Sequence, residues 1–370
     1  MMSWLKWLFD DQKNTNSSPN NQAPLPTDGT ISNVQLLQQV IEQAFVAQTT
    51  DWSVNYVGNT RDLTKSVMSK VFEQAIRNVD DYTHYVVKNY TLNAISDQAG
   101  NSTITFHVDY RESKAQSAAV TAKAQEVVRL LLTNDMNEHQ KVKSLHDWVV
   151  LNFAYDPALK YHSAYDGIRF GRSVCEGYSL MIFRLLSTAG IAVRIAEGIG
   201  RKQQHAWNIV RIDGTWYHLD ATWDDPVPDR PGIVGYDYYL LTDREIERTH
   251  AINRNISYPR CSQSYERTIV ECIERDRSRK IYYQSLYRTL GFIYWQPEMI
   301  VKNRQALEKF IESKSSQVTS SITFRYLQGD QAKQDLSAVL RAINRSAQFS
   351  IESFVRAPEG GSVLINLRLE

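Results

Sequence analysis

Two stretches of this chain carry the information about its fold: residues 170–179 read FGRSVCEGYS, and residues 204–223 read QHAWNIVRIDGTWYHLDATW. In the first stretch, Cys175 precedes an apolar run, residues 180–189, that ends at Gly190, a frequent helix terminator. We therefore predict that Cys175 lies in the first turn of a buried helix. The free N–H groups and positive end of a helix favour a thiolate and can also receive an oxyanion.

A cysteine at the start of an apolar helix has a simpler interpretation, because an unpaired cysteine is often just a small buried hydrophobic residue. The residues that follow weaken this interpretation. Glu176 and Gly177 make the segment polar and tight rather than a continuous apolar stripe. We therefore treat Cys175 as a candidate nucleophile.

The second stretch predicts a β-hairpin, because Asp213-Gly214 is the strongest short signal for a two-residue turn. Counting outward from that turn places one set of side chains on a common face: His205, Trp207, His218, Asp220 and Thr222. His205 and Asp220 are diagonal neighbours there, and a carboxylate beside an imidazole orients it and stabilises the imidazolium. His218 shares the same face, so strand counting alone leaves both histidines open as the base.

Together the motifs GRSVCEGYS and HAWNIVRIDGTWYHLDATWDD resemble the transglutaminase-like superfamily in its bacterial branch. The resemblance covers residues 137–250 and implies that Cys175 is the nucleophile, His205 the base and Asp220 the residue that orients His205. The implied fold class is α+β: a papain-like core in which the cysteine helix packs on an antiparallel sheet, flanked by two small α+β modules.

The resemblance implies acyl transfer through a Cys175-His205-Asp220 triad, and a cysteine peptidase or amidase-type hydrolase acting on protein or peptide amides is the favoured function. A cross-linking transglutaminase and a non-catalytic protein-interaction module are the alternatives. The aromatic residues Tyr178, Trp207 and Trp223 are candidates for a substrate groove. Asp224 and Asp225 are interpreted as loop and turn residues, because adjacent carboxylates lack the spacing of a calcium loop.

Element order divides the chain into four parts. Residues 1–31 are expected to form a tail and a disordered linker, because residues 12–30 contain almost nothing to bury. Residues 32–112 and 263–370 each show the order α-β-α-β-β, so we predict two related α+β modules. Between them, residues 113–262 form the predicted thiol domain.

The composition of the chain limits the binding partners, metals and compartment that we expect for this protein. Forty-two basic and 41 acidic residues give a net charge of +1, which offers no general attraction for nucleic acid. Three cysteines without a CxxC pair argue against a disulfide framework and a zinc site, so we expect no metal or cofactor and a reducing, cytoplasmic compartment. The apolar residues of 1–11 (MMSWLKWLFDD) allow the alternative of a weak membrane or partner contact, at the peripheral membrane or the cell surface.

Overall fold

The computed structural model describes residues 30–315, 321–357 and 360–369. They form two compact units, of which the first ends at residue 234 and also includes 246–261, and the second comprises 235–245 and the chain from 262 onward. The predicted tail and linker lie outside the described residues, apart from Thr30 and Ile31. These two form a short strand paired with Asn55 and Tyr56, so the N-terminal module begins two residues earlier than we predicted.

The N-terminal module is a four-stranded sheet covered by helices. Its elements are β1 (Thr30–Ile31), α1 (Val34–Val46), β2 (Asp51–Tyr56), α2 (Lys65–Val79), α3 (Asp81–Val86), β3 (Val87–Ser96) and β4 (Ser102–Tyr110). The strand order is β1-β2-β4-β3, with β1 parallel to β2 and the other pairs antiparallel. Apolar residues of α1 and α2 at helical spacing and alternate residues of β2 and β4 build its core.

One element of this module differs from the prediction. The sequence from Tyr82 to Ala94 suggests one long strand, but Tyr82–Val86 belongs to helix α3. The carboxylate of Asp80 accepts the N–H of Thr83 at 2.6 Å and caps that helix. A local cap of this kind lets β-favouring residues form a helical turn before the strand begins.

The C-terminal unit repeats the strand arrangement. Its elements are α10 (Tyr265–Arg275), α11 (Lys280–Thr289), β12 (Ile300–Val301), α12 (Arg304–Ser315), β13 (Ile322–Tyr326), α13 (Ala332–Ala342), β14 (Ala347–Ser353) and β15 (Val363–Leu369). The sheet order β12-β13-β15-β14 matches that of the N-terminal module strand for strand, including the one parallel pair. Strands β2 and β13 therefore hold equivalent positions, and each sheet has its own apolar core. We retain the domain boundaries as a proposal.

The central part of the chain supplies the functional residues. Its elements are α4 (Lys114–Leu131), α5 (Glu138–Asn152), β5 (Ala154–Tyr155), α6 (Ala164–Phe170), β6 (Arg172–Ser173), α7 (Cys175–Thr188), β7 (Val193–Gly200), β8 (Gln203–Ile212), β9 (Thr215–Leu219), α8 (Ala221–Asp224), β10 (Tyr239–Leu241), α9 (Asp243–Ile246) and β11 (His250–Ile252). Four antiparallel strands run in the order β9-β8-β7-β11. Helix α7 contacts β7 and β8, which is the predicted arrangement of a cysteine helix on an antiparallel sheet.

No helix in the described ranges is long and apolar enough to cross a membrane. The apolar segment 1–11 lies outside those ranges, so its proposed membrane or partner contact stays a prediction.

Candidate active site

Cys175 begins helix α7, as predicted, and is nearly buried. The preceding residue, Val174, occupies the N-cap and has no side-chain acceptor, so the helix keeps free N–H donors at its start. Gly177 allows close packing of this first turn. A Cβ atom there would lie 1.9 Å from the Oγ of Ser173 and 2.6 Å from the carbonyl oxygen of Ser163. Cys175 is therefore held by a tightly packed helix end.

Cys175 and His205 line one cavity of about 40 Å³, a space that holds about one water-sized group. His205 lies in β8, next to α7, and Ala206 completes this side of the cavity. The opposite wall includes His84 and Tyr85 from helix α3 of the N-terminal module. No pattern in the sequence predicts that these two residues lie near the thiol, because about ninety residues separate them from Cys175.

The thiol of Cys175 interacts with a carboxylate, since its Sγ donates to Oε2 of Glu176 at 3.2 Å. Burial raises the pKa of the Cys175 thiol, the charge of Glu176 raises it further, and a backbone hydrogen bond with Ala206 acts in the opposite direction. Glu176 is ionised: burial opposes this, but the interaction with His162, 3.6 Å away, helps to lower its pKa to about 2. The thiol pKa is therefore raised in this arrangement and not lowered as predicted, because burial and the negative charge of Glu176 both disfavour the thiolate.

Glu176→Gln is expected to lower the pKa of Cys175, because the substitution removes that negative charge and leaves the shape unchanged. Alkylation by iodoacetamide at pH 7 should become severalfold faster, and the rate profile should shift to lower pH. Cys175→Ala gives the background from Cys261 and Cys272. A profile that does not move would show that Glu176 does not control the thiol.

His205 is oriented by Asp220, with Nε2 2.7 Å from Oδ2. The hairpin has the predicted register over five residue pairs, from Ile212 opposite Thr215 to Asn208 opposite Leu219. The two turn residues, Asp213 and Gly214, both have positive φ, as a type I′ turn requires. The predicted pairing does not extend to Asp220, however. Strand β9 ends at Leu219, because Asp220 instead becomes the N-cap of helix α8.

Asp220 uses both carboxylate oxygens. Oδ1 accepts the backbone N–H groups of Thr222 at 3.0 Å and Trp223 at 3.3 Å. Oδ2 accepts from His205 and also from Nε2 of His250 at 3.1 Å. Burial disfavours the charged form, but the interaction with His205 and the hydrogen bond from His250 outweigh it and hold the pKa of Asp220 well below its usual range.

His250 is a site residue that sequence reasoning did not single out. Burial lowers its pKa, although Asp220 acts in the opposite direction, so the ring is neutral near pH 7. Because an ionised carboxylate only accepts, Nε2 carries the hydrogen and Nδ1 accepts from the Thr249 hydroxyl, 2.8 Å away. His250 thus donates to the same carboxylate oxygen of Asp220 as His205. The resemblance extended to residue 250, but it gave this histidine no role.

His218 and two of the candidate groove residues, Trp207 and Tyr178, are buried beside the site. The indole N–H of Trp207 donates to Nδ1 of His218 at 2.9 Å, and the Trp207 ring lies between His205 and His218. Tyr178 donates to Asp225 and packs on Phe153. Trp207 and Tyr178 are both about 1% exposed, so we place them beneath the site and not in a substrate groove.

Trp223 is more accessible and packs against the ring of His205, with centroids 5.2 Å apart. The guanidinium group of Arg201 makes a cation–π contact with the Trp223 ring, 4.7 Å from its centroid. A role for Trp223 in a substrate groove stays a prediction.

Asp224 and Asp225 were interpreted as loop and turn residues, but both are buried and hydrogen-bonded. Oδ2 of Asp224 lies 3.1 Å from Nε2 of His146 on helix α5. Asp225 accepts from Tyr178 on helix α7, and burial raises its pKa to about 6. The two carboxylates therefore tie the segment after Asp220 to the helices beneath it.

His205, Asp220 and His250 also have the side-chain types of a metal site, with one potential ligand atom from each lying within 4.8 Å of the others. The same carboxylate oxygen, however, accepts hydrogen bonds from both imidazoles at 2.7 and 3.1 Å. This geometry describes a network that orients His205, and we assign it that role.

Part of this chain is similar in sequence to known proteins. Residues 123–221 match the family model of the transglutaminase-like superfamily. The chain is 24% identical to human kyphoscoliosis peptidase over 208 residues and 23% identical to the mouse protein over 215 residues. These matches cover 49% and 51% of this chain but only 30% and 31% of the relatives, so the chain spans about a third of their length.

Two solved structures show weaker similarity. One, described as a TGase, is 12% identical, with 55% of this chain and 61% of the other covered and a TM-score of 0.29. The second, named as a proposed cysteine protease of Cytophaga hutchinsonii, is 17% identical, with 40% and 70% covered and a TM-score of 0.26. Neither score is high enough to support an inference about activity.

Proposed function

We propose that this chain, whose residues 123–221 match the transglutaminase-like superfamily model, is a thiol enzyme that transfers acyl groups from protein or peptide amides. One observation carries the proposal: Cys175, at the start of a helix, shares a cavity with an imidazole that a buried carboxylate orients. Nucleophile, base and orienting group are the three parts that covalent catalysis of acyl transfer needs.

The proposed reaction begins with proton transfer from Cys175 to His205. Nε2 of His205 faces Asp220, which leaves Nδ1 to take the thiol proton. The thiolate then attacks the amide carbonyl carbon, and the N–H of Cys175 at the helix start can stabilise the oxyanion. The imidazolium gives its proton to the leaving amine, and a thioester between Cys175 and the acyl group remains.

The fate of the thioester defines the activity, and we propose hydrolysis. A water molecule that loses a proton to His205 attacks the thioester and releases a carboxylic acid and the thiol. The cavity of about 40 Å³ beside the sulfur is large enough for such a water. Attack by a lysine amine would give a cross-link by the same steps.

Three products distinguish the possible activities on carboxymethylated casein: new amino termini, released ammonia, and protein labelled with dansylcadaverine. We expect the wild-type protein to form amino termini or ammonia, and Cys175→Ala to form neither. Dansylcadaverine incorporation that exceeds hydrolysis would assign a cross-linking enzyme. If the wild-type protein forms none of the three, the proposal of catalysis fails and the non-catalytic interpretation takes its place.

His250→Phe is expected to reduce kcat roughly ten- to a hundredfold while KM stays nearly constant. The substitution keeps a ring in the site but removes a hydrogen bond to a charged group, and such bonds contribute about 1.5–3 kcal/mol. Thr249→Val is the matched control, because it removes the hydroxyl that contacts Nδ1 of His250 and the carbonyl of Ile246, leaves the bond between His250 and Asp220 in place, and should cost less. An unchanged kcat in a folded His250→Phe protein would remove His250 from the positioning network.

A further inference from the structure

The N-terminal module carries a groove of about 670 Å³ between helix α2 and strand β3. This volume lies in the range of ligand-binding clefts. Five residues on one face of α2 form one wall: Lys65, Ser69, Phe72, Glu73 and Ile76. Every residue of β3 from Val87 to Ala94 contributes to the other wall. Since successive side chains of a strand point to opposite faces, this groove must follow the backbone edge of β3.

That edge is the outer edge of the sheet. In the order β1-β2-β4-β3, β4 pairs with one side of β3, and no strand of the described chain pairs with the other side. An open edge presents a row of N–H and C=O groups that can pair with an added strand. The eight residues along the groove span about 26 Å at roughly 3.3 Å per residue, so an extended segment of about eight residues fits.

The groove has the chemistry of a peptide site. Its floor is apolar, with the rings of Phe72 and Tyr90 stacked 3.7 Å apart and Leu92 half-buried beside them. Lys65 and Lys88 stand exposed at its rim. An added strand would place alternate side chains against the floor and the others towards the rim, which is how β-strand addition combines affinity with selectivity.

His84 joins this groove to the active site, because it lines both the groove and the cavity that contains Cys175 and His205. Its Nδ1 is buried and has no hydrogen-bond partner among the residues that the structure describes. A buried polar atom without a partner is costly, so a turn of this ring that lets Nδ1 meet a backbone amide of a bound chain would be favourable. A chain that leaves the groove at the Val87 end thus passes His84 and reaches the thiol.

We propose that the groove between α2 and β3 binds an extended segment of the polypeptide substrate as an added strand and directs it past His84 to Cys175. The proposal rests on the acyl-transfer function for the identity of its occupant. In this proposal the N-terminal module selects substrates in which apolar side chains alternate along the bound segment.

The binding test uses the full chain carrying Cys175→Ala, so that no chemistry is needed, and a display library of random dodecapeptides. Selected peptides should alternate apolar residues, and binding should slow amide exchange in residues 87–94. Ser69→Trp fills the groove from α2 and should weaken binding at least tenfold. Gln74→Trp, an exposed position of α2 outside the groove, is the matched control and should leave the affinity unchanged.

A kinetic test connects the groove to catalysis. In a protein with wild-type Cys175, Ser69→Trp should raise KM for a selected dodecapeptide at least tenfold and leave kcat within twofold. A tripeptide amide, too short to enter the groove, should react equally well with both proteins. The far-ultraviolet circular dichroism and Tm of each variant establish that it is folded.

Several results would overturn the proposal: no selected peptide, equal affinity for Ser69→Trp, no slowing of amide exchange within residues 87–94, or binding that appears only after residues 1–29 are deleted. The last result would assign the groove to the chain's own N-terminus. Absence of any reaction product from the wild-type protein is a separate outcome. It would remove the proposed function, while peptide binding to the Cys175→Ala protein would still show a peptide-binding groove.

Discussion

The His205→Ala variant is expected to lose about 10²–10⁴-fold in kcat/KM, the usual contribution of a positioned acid–base residue. His205 shares the cavity with Cys175 and is held at 2.7 Å by Asp220, so in the proposed reaction both the deprotonation of the thiol and the protonation of the leaving amine depend on it. The variant should stay folded, because His205 lines an existing cavity and the substitution only enlarges it. Steady-state rates on carboxymethylated casein, with Tm as the check on folding, measure the effect.

His218→Ala is the matched control, since both histidines lie on the same face of one hairpin. Nδ1 of His218 already accepts from Trp207, and the Trp207 ring separates it from His205. We expect kcat/KM of His218→Ala to stay within about tenfold of wild type and its Tm to fall, because a buried indole N–H loses its acceptor. If His218→Ala proves the more damaging change to kcat while it remains folded, the base has been assigned to the wrong histidine.

The hairpin shows why local sequence predicts some of this site well. The Asp213-Gly214 turn fixes the register of β8 and β9, and the two strands follow it for five residue pairs. A two-residue turn determines its pairing without help from the rest of the chain. The same reasoning fails at Asp220, because its side chain caps α8 and the strand ends one residue earlier. A capping carboxylate competes locally with strand pairing, and the sequence pattern does not weigh the two.

Residues brought in by long-range contacts could not be predicted. His250 reaches Asp220 because β11 pairs with β7, placing His250 opposite Gly200. A strand of three residues has too little periodicity to reveal such a pairing. His84 reaches the cavity because helix α3 packs beside β7, where Asp81 binds Arg194 through its side chain at 2.7 Å. These contacts depend on the packing of separate elements and leave no local pattern.

The effect of neighbouring charges on the Cys175 thiol is a third property that the sequence did not predict correctly. The helix end and the neighbouring histidine both favour a thiolate, and the resemblance strengthened that expectation. Glu176, the next residue in the chain, has the opposite effect, because its carboxylate accepts from the thiol directly. Whether an adjacent carboxylate faces a thiol or solvent depends on rotamers, which sequence patterns do not specify. Substrate binding that displaces this contact would leave His205 as the acceptor of the thiol proton.

Asp220→Asn is expected to reduce kcat/KM about 10³–10⁴-fold and to destabilise the fold by about 1–3 kcal/mol. Four donors converge on this carboxylate: two backbone N–H groups on Oδ1 and two imidazoles on Oδ2. An asparagine has one acceptor oxygen and one NH₂ group. Either the two backbone N–H groups or the two imidazole N–H groups must therefore face the NH₂ group, which cannot accept. If the oxygen keeps capping α8, then His205 loses the acceptor that fixes its tautomer, and Nδ1 is no longer free to take the proton of Cys175.

Asp224→Asn provides the matched control for this prediction. Asp224 is also buried, lies four residues away in the same helical turn, and accepts from His146, but it is not among the residues that line the cavity. Its substitution should cost a similar amount of stability, measured by urea unfolding, and leave kcat/KM within about tenfold of wild type. Equal kinetic losses in the two variants would mean that Asp220 acts by holding the fold together. A loss confined to Asp220→Asn, together with a flattened pH–rate profile, would identify the orientation of His205 as the property that this carboxylate supplies.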